Sequence, residues 1–229
     1  MIEFGHLTHV GLRRALNEDT YYGDSELGLW LIADGMGGHG CGEAASALAR
    51  ETIVRETRRD TPLVQAIRIA DEEILRLARR RNDNLPIGTT VAVARIRQSE
   101  YEVAWVGDSR AYLWRNGRLA QLRQESNDGP ETETGEEISR SALRSRMTQA
   151  LGVTDPAHLY VPAIIGELRP GMQLLLCSDG LTEEVDEREI AAILGDTECS
   201  AQECVDILIA TALDKGGADN ITAVLIRCH

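Results

Sequence analysis

The chain has 229 residues, 43% of them apolar and 27% charged, the balance of a globular protein able to bury a large core, and it reads as one domain spanning 1–229. Lys and Arg number 24 against 37 Asp and Glu; the formal charge of −13 opposes nucleic acids and anionic membranes, so neither is expected as a partner. No run approaches the ~20 apolar residues of a membrane span, and Met1 to Val10 lacks the regions of a signal peptide. The five cysteines form no Cys-x-x-Cys pair, which argues against a disulfide framework or a zinc site. A cytoplasmic monomer with reduced thiols is the expectation.

Apolar runs rich in β-branched and aromatic residues predict strands at Leu29 to Ala33, Thr89 to Ile96, Val103 to Val106, Ala111 to Trp114, Leu174 to Cys177 and Ile221 to Ile226. Asn116-Gly117 predicts a type I′ hairpin joining Ala111 to Trp114 with Leu119 to Leu122. Three- and four-residue apolar spacing predicts helices from Glu43 to about Thr57, from Pro62 to about Arg81, and from Ala201 to about Leu213 with Ser200 as N-cap. This order of helices and hairpins argues for an α+β sandwich. Arg123 to Glu137 is polar and carries Gly129, Pro130 and Gly135; it reads as a surface loop, and loops this long are often functional.

Three apolar strands end in an aspartate followed by a small residue: Asp34-Gly35, Asp108-Ser109 and Asp179-Gly180. A fourth acid, Asp219, immediately precedes a strand. Each Asp-Gly alone is more often a plain turn. Gathered at strand ends they are different, because carboxylates ~4 Å apart repel by ~4 kcal/mol at an effective dielectric of 20. A cation must hold them, and all-oxygen ligands favour Mg²⁺ or Mn²⁺ over zinc or copper. Arg14, in Gly11-Leu-Arg-Arg14-Ala-Leu-Asn17-Glu18-Asp19, reads alone as part of a salt-bridged loop, but beside such a centre it offers a planar fork for phosphate oxygens.

The ordered set Gly11-x-x-Arg14-x-x-Asn17-Glu18-Asp19, Asp34-Gly-Met-Gly-Gly-His39, Gly88-Thr-Thr90, Val106-Gly-Asp-Ser-Arg110, Ser178-Asp-Gly-Leu-Thr182 and Gly217-Ala-Asp-Asn-Ile-Thr222 resembles the metal-dependent protein phosphatases of the PPM or type 2C class, in their short bacterial form. The resemblance covers nearly the whole chain. It implies a four-layer αββα sandwich, two mixed β-sheets flanked by helix pairs, with two Mn²⁺ or Mg²⁺ ions between the sheets. It further implies that Asp34 bridges the ions, that Gly35 offers its carbonyl, and that Asp179 and Asp219 complete the first ion's ligands. Glu18 belongs to the second ion, Asp108 with Asp179 to a weaker third, and Asp19 and Asn220 stand behind the ligands. The implied activity is hydrolysis of phosphoserine and phosphothreonine in proteins by a metal-activated water, opposing a serine/threonine kinase, with Arg14 holding the phosphate and a flap segment near 123–146. A small-molecule phosphatase and a partner-binding pseudophosphatase are the rival readings.

The sequence departs from the family pattern twice. Gln124-Glu125-Ser126 stands where relatives often carry Asp-His-Ser, and Met36 where longer relatives place a proton-donating histidine. His39 is open to two readings, general acid or structural hydrogen-bonder, and reach favours the second.

Overall fold

The computed structural model describes residues 1–37, 40–81, 86–123 and 149–229. His39, Gln124-Glu125-Ser126 and all but the first residue of the flap segment near 123–146 lie outside them. The described residues form two sheets. One runs β2 (Asp19–Asp24), β3 (Leu29–Gly37), β5 (Val91–Arg97), β6 (Glu100–Val106) and β9 (Ala163–Glu167), with β4 (Ile87–Thr89) paired to the far end of β3. The other runs β1 (Ile2–His9), β11 (Ile221–Cys228), β10 (Gln173–Cys177), β7 (Arg110–Arg115) and β8 (Arg118–Gln121). Helices α1 (Cys41–Arg58) and α2 (Leu63–Arg81) cover the first sheet; α3 (Asp179–Thr182), α4 (Glu187–Leu194) and α5 (Ala201–Lys215) follow β10.

Strand periodicity explains the layers, because successive side chains leave opposite faces. In β3, Leu29, Leu31 and Ala33 pack under α1 and α2 with Ile53, Ile67 and Ile74, while Trp30 and Ile32 point the other way. In the second sheet, Leu175, Ala223 and Leu225 meet Ile190, Val205 and Leu208 of α4 and α5, while Leu174, Leu176, Val224 and Ile226 face Trp30 and Ile32 between the sheets. Central strands buried on both faces read as unbroken apolar runs, which is why they were visible in the sequence. The result is the αββα sandwich. Every ladder described is antiparallel, so the mixed sheets implied by the resemblance are narrowed to antiparallel ones.

The hairpin forms as expected, with Arg115 paired to Arg118 and left-handed φ at Asn116 (51°) and Gly117 (74°). Ser200 caps α5 in a reciprocal box with Glu203. The run Thr89 to Ile96, expected as one strand, divides: β4 ends at Thr89 and β5 begins at Val91. Between them, Thr90 turns its amide to the Asp34 carbonyl, 2.8 Å away.

Candidate active site

Asp34 does not end its strand. β3 pairs with β5 as far as Ile32, changes partner, and continues through Gly35, Met36 and Gly37 along β4. The aspartate therefore sits where β3 changes partners, directly opposite Asp19 in the β2 register. Its carbonyl accepts from Thr90 N and from Thr89 Oγ1, both at 2.8 Å, so these threonines do more than start a strand.

Behind Gly35, α1 crosses at backbone contact. A Cβ on Gly35 would lie 2.1 Å from the Gly42 carbonyl oxygen, and one on Gly42 would lie 2.6 Å from Glu18 Oε1. Only hydrogen fits at both positions. The close approach lets Glu18 Oε1 accept from Gly42 N at 3.2 Å, while the Glu18 carbonyl accepts from Gly35 N at 3.1 Å and Ser46 Oγ at 2.7 Å.

The remaining acids come from loops at the strand ends of both sheets. Asp179 opens α3 directly after β10, Asp219 precedes β11, and Asp108 follows β6 of the first sheet. Asn220 holds the loop carrying Arg14 and Glu18: its Oδ1 accepts from Glu18 N at 2.8 Å, and its Nδ2 donates to the carbonyls of Val10 and Leu16, both at 2.9 Å. Gly11, at φ 81°, lets that loop lie against the Asp219 backbone. Across this junction Arg14 Nη2 meets Asp219 Oδ2 at 2.6 Å, so the arginine read as phosphate-holding is ion-paired to an acid read as a cation ligand.

Asp19 bridges the two sheets. Its buried Oδ2 accepts from Ser178 Oγ at 2.9 Å and Thr222 Oγ1 at 2.6 Å, both in the other sheet's motifs. Both residues stand in the motifs Ser178-Asp-Gly-Leu-Thr182 and Gly217-Ala-Asp-Asn-Ile-Thr222, but nothing in their spacing points to Asp19. Thr90 Oγ1 and Ser109 Oγ, 2.7 Å apart, tie the Asp34 turn to the Asp108 turn in the same way. Arg110 reaches the Tyr112 hydroxyl at 3.2 Å, and Tyr112 in turn donates to Glu187.

The electrostatics show one mutually repelling group. Burial, then the charges of Asp19, Asp179, Asp108 and Asp219, push the Asp34 carboxyl up to about 9. Burial, then Asp108, Glu183, Asp219 and Asp19, push Asp179 up to about 6. Asp19 and Asp108 are also raised, burial being the largest cause in each. Among the described residues no three His, Cys, Asp or Glu side chains form a finished cation cage.

The donors nevertheless suit a hard divalent cation. Asp19 Oδ1 and Asp179 Oδ1 are buried without a hydrogen-bond partner, which costs about 1–3 kcal/mol or more each unless something positive meets them. The ligand atoms on offer are all oxygens.

The fold thus brings a half-buried cluster of acids, with an arginine on its rim, to the meeting of two antiparallel sheets. The family described as Protein phosphatase 2C matches residues 12–215. Serine/threonine phosphatase stp of Listeria monocytogenes is 34% identical over 212 residues, covering 86% of this chain and 83% of its own. Serine/threonine protein phosphatase PstP of Mycobacterium tuberculosis is 33% identical over 230 residues, covering 94% of this chain and 43% of its own. Among solved structures, the catalytic domain of PstP in complex with two manganese ions superposes with a TM-score of 0.81 at 28% identity, over 99% of this chain and 97% of that one. The chain belongs to the protein phosphatase 2C family, and its enzyme class is serine/threonine protein phosphatase.

Proposed function

We propose that the chain, acting as one domain over 1–229 in the cytoplasm, hydrolyses phosphoserine and phosphothreonine in proteins and so opposes a serine/threonine kinase. Asp34, Asp179, Asp219, Glu18 and the Gly35 carbonyl are the residues to hold two divalent cations, Mn²⁺ or Mg²⁺, with Asp108 available to a weaker third. The PstP complex with two manganese ions, in a fold this close, supports that assignment. When bound, such ions supply a water acidic enough to attack phosphorus near neutral pH.

The chain's own residues do the rest. Asp19, fixed by Ser178 and Thr222, holds β2 against the other sheet so that Glu18 and Asp34 face Asp179 and Asp219. Asn220 keeps the loop of Arg14 and Glu18 in place from behind. Arg14, more than half exposed, lies at the mouth where a phosphate would enter, and its fork can take two oxygens.

The observation that carries this reading is the pair of buried, unpartnered carboxylate oxygens on Asp19 and Asp179 inside a cluster whose carboxyls burial and mutual charge push up, Asp34 to about 9 and Asp179 to about 6. Phosphate release from a phosphothreonine peptide tests it, measured with Mn²⁺ and again with a chelator. Turnover with Mn²⁺ and none after chelation is expected. Full turnover by protein shown by elemental analysis to be metal-free would refute the two-ion reading, and hydrolysis of small phosphate esters together with no hydrolysis of the peptide would refute the protein substrate.

A further inference from the structure

Away from the acid cluster, α1 carries a second concave site. A pocket of about 430 Å³ opens between the outer half of this helix and the edge strand β2, lined by Arg50, Arg55, Arg58 and Arg59 with Tyr22 and Val54, and by one carboxylate, Glu51. Four guanidinium groups against one carboxylate give the lining a formal charge of +3 on a protein of −13. The surrounding layer shares the bias: residues 41–81 hold nine arginines and seven acids, so 9 − 7 = +2, and the other 188 residues carry −15.

The guanidinium groups are of two kinds. Arg55 and Arg59 are anchored by Glu56, a buried carboxylate that accepts from Arg55 Nε at 3.0 Å and Arg59 Nη1 at 3.2 Å. Arg50 and Arg58 have no carboxylate within hydrogen-bonding distance among the described residues. Arg50 donates to Thr20 Oγ1 at 2.6 Å and lies 3.8 Å from Glu51, while Arg58 reaches only the Tyr22 hydroxyl, at 3.4 Å. Two forks fixed by Glu56 and two held more loosely, Arg50 by Thr20 and Glu51 and Arg58 by the Tyr22 hydroxyl with Asp24 behind it, surround a pocket that matches an oxyanion such as a phosphomonoester, which accepts from several donors at once.

The pocket's position says whose oxyanion it is. Gly42, bonded to Glu18, marks the active-site end of α1, and Arg50 to Arg58 lie eight to sixteen residues along it, roughly 12 to 24 Å at the helical rise. β2 runs the same way, from Asp19 in the cluster to Tyr22 in the pocket wall. About four to seven extended residues cover that distance.

We propose that this pocket is a second anion site, which takes a phosphate or carboxylate carried by the substrate chain about five residues from the phosphoresidue being hydrolysed. The proposal rests on the reading of the chain as a phosphoprotein phosphatase. It makes multiply phosphorylated or acidic segments the better substrates, against the direction set by the protein's own net charge.

Three phosphothreonine peptides test it with Mn²⁺ present: one with neutral flanks, and two with a non-hydrolysable phosphonate five residues to either side. For wild-type protein at least one phosphonate peptide should show a KM about 5- to 10-fold lower, as expected of one or two exposed charge pairs. Arg50→Gln with Arg58→Ala should erase that advantage and leave the neutral peptide and p-nitrophenyl phosphate within about twofold; the glutamine keeps a donor for Thr20. Should the double variant not fold, Arg58→Ala alone should at least halve the advantage and Arg58→Lys restore part of it. Equal KM for all three peptides, or an advantage that survives the substitutions, overturns the proposal but not the function. Turnover of no peptide overturns both. Inorganic sulfate, which also competes at the phosphate site of every substrate, should raise KM more for the favoured peptide than for the neutral one; if instead it alters p-nitrophenyl phosphate turnover in the wild type but not in the variant, the pocket serves a free oxyanion and the proposal fails.

Discussion

Replacing Asp34 with asparagine should stabilise the metal-free protein while abolishing turnover. The folded-state carboxyl is pushed up to about 9 by burial and four neighbouring acids, whereas an unfolded aspartate titrates near 3.9. Between those values the folded state binds the extra proton, so stability falls as pH rises through this window. At pH 7 the interval above 3.9 is about 3 units, or at most about 4 kcal/mol at 1.36 kcal/mol per unit. Asp19 and Asp179 share the same protons, so about 2 kcal/mol is expected from Asp34 itself. Asparagine keeps the shape of the protonated acid and removes the titration. For a chain of this size, about 2 kcal/mol corresponds to a Tm roughly 4 to 8 °C higher at pH 7 to 8, with no difference near pH 4. Thermal melts of chelated wild type and Asp34→Asn across pH 4 to 9 measure this directly. With Mn²⁺ the order should reverse, since only a state that binds the ion gains stability from it. A variant no more stable than wild type at pH 8, or an offset equal at every pH, would refute the description of Asp34 as a repelled, buried acid.

Arg14→Ala should lower kcat/KM on a phosphothreonine peptide by roughly 10- to 150-fold, the worth of a charge-assisted hydrogen bond of ~1.5 to 3 kcal/mol, and Arg14→Lys should recover only part. Because Arg14 is bonded to Asp219, the alanine variant should also bind Mn²⁺ slightly more tightly, by about fivefold or less, as a calorimetric titration would show. Thr222→Val removes one donor from the buried Asp19 Oδ2 and should cost about 1–3 kcal/mol in urea unfolding of the metal-free protein; no measurable loss would mean that Ser178 alone satisfies the carboxylate. Prolonged chelation followed by Mn²⁺ should abolish and then restore peptide turnover, and Mg²⁺ in place of Mn²⁺ shows which ion serves better.

The central strands were legible because both their faces are buried: Leu174 to Cys177 and Ile221 to Ile226 needed no alternation to be seen. β1, β2 and β9 were not, for the complementary reason that they lie at sheet edges, where side chains are half exposed and polar residues such as Glu3, His6, Thr20 and Glu167 interrupt the pattern. α4 could have been found, since Asp186-Glu187-Arg188-Glu189 is a capping-box sequence and the box is formed. In the site, the acids and Arg14 were visible as motifs. Their relation was not, because the Arg14 to Asp219 contact joins residues 205 apart and depends on a glycine loop lying against another loop. The same holds for the close crossing of Gly35 and Gly42, which only the packing of α1 on β3 reveals.

The site answers its negative charge in two different ways, and the division follows depth. At the mouth, Asp219 has an arginine. Inside, Asp19 has hydroxyls from the opposite sheet on one oxygen, and the Asp34 carboxyl is pushed up to about 9 by burial and its acidic neighbours. Hydroxyl donors fix a carboxylate's direction without neutralising it, so Ser178 and Thr222 aim Asp19 while preserving the field that raises Asp34. A second arginine buried there would have satisfied the same acids permanently and left no demand for a divalent ion. Arg14 instead stands at the rim, its side chain more than half exposed beside Asp219. The backbone makes this division: β3 changes partners at Asp34, which sets that half-buried carboxylate opposite Asp19, and Gly11 turns the loop that brings Arg14 to Asp219.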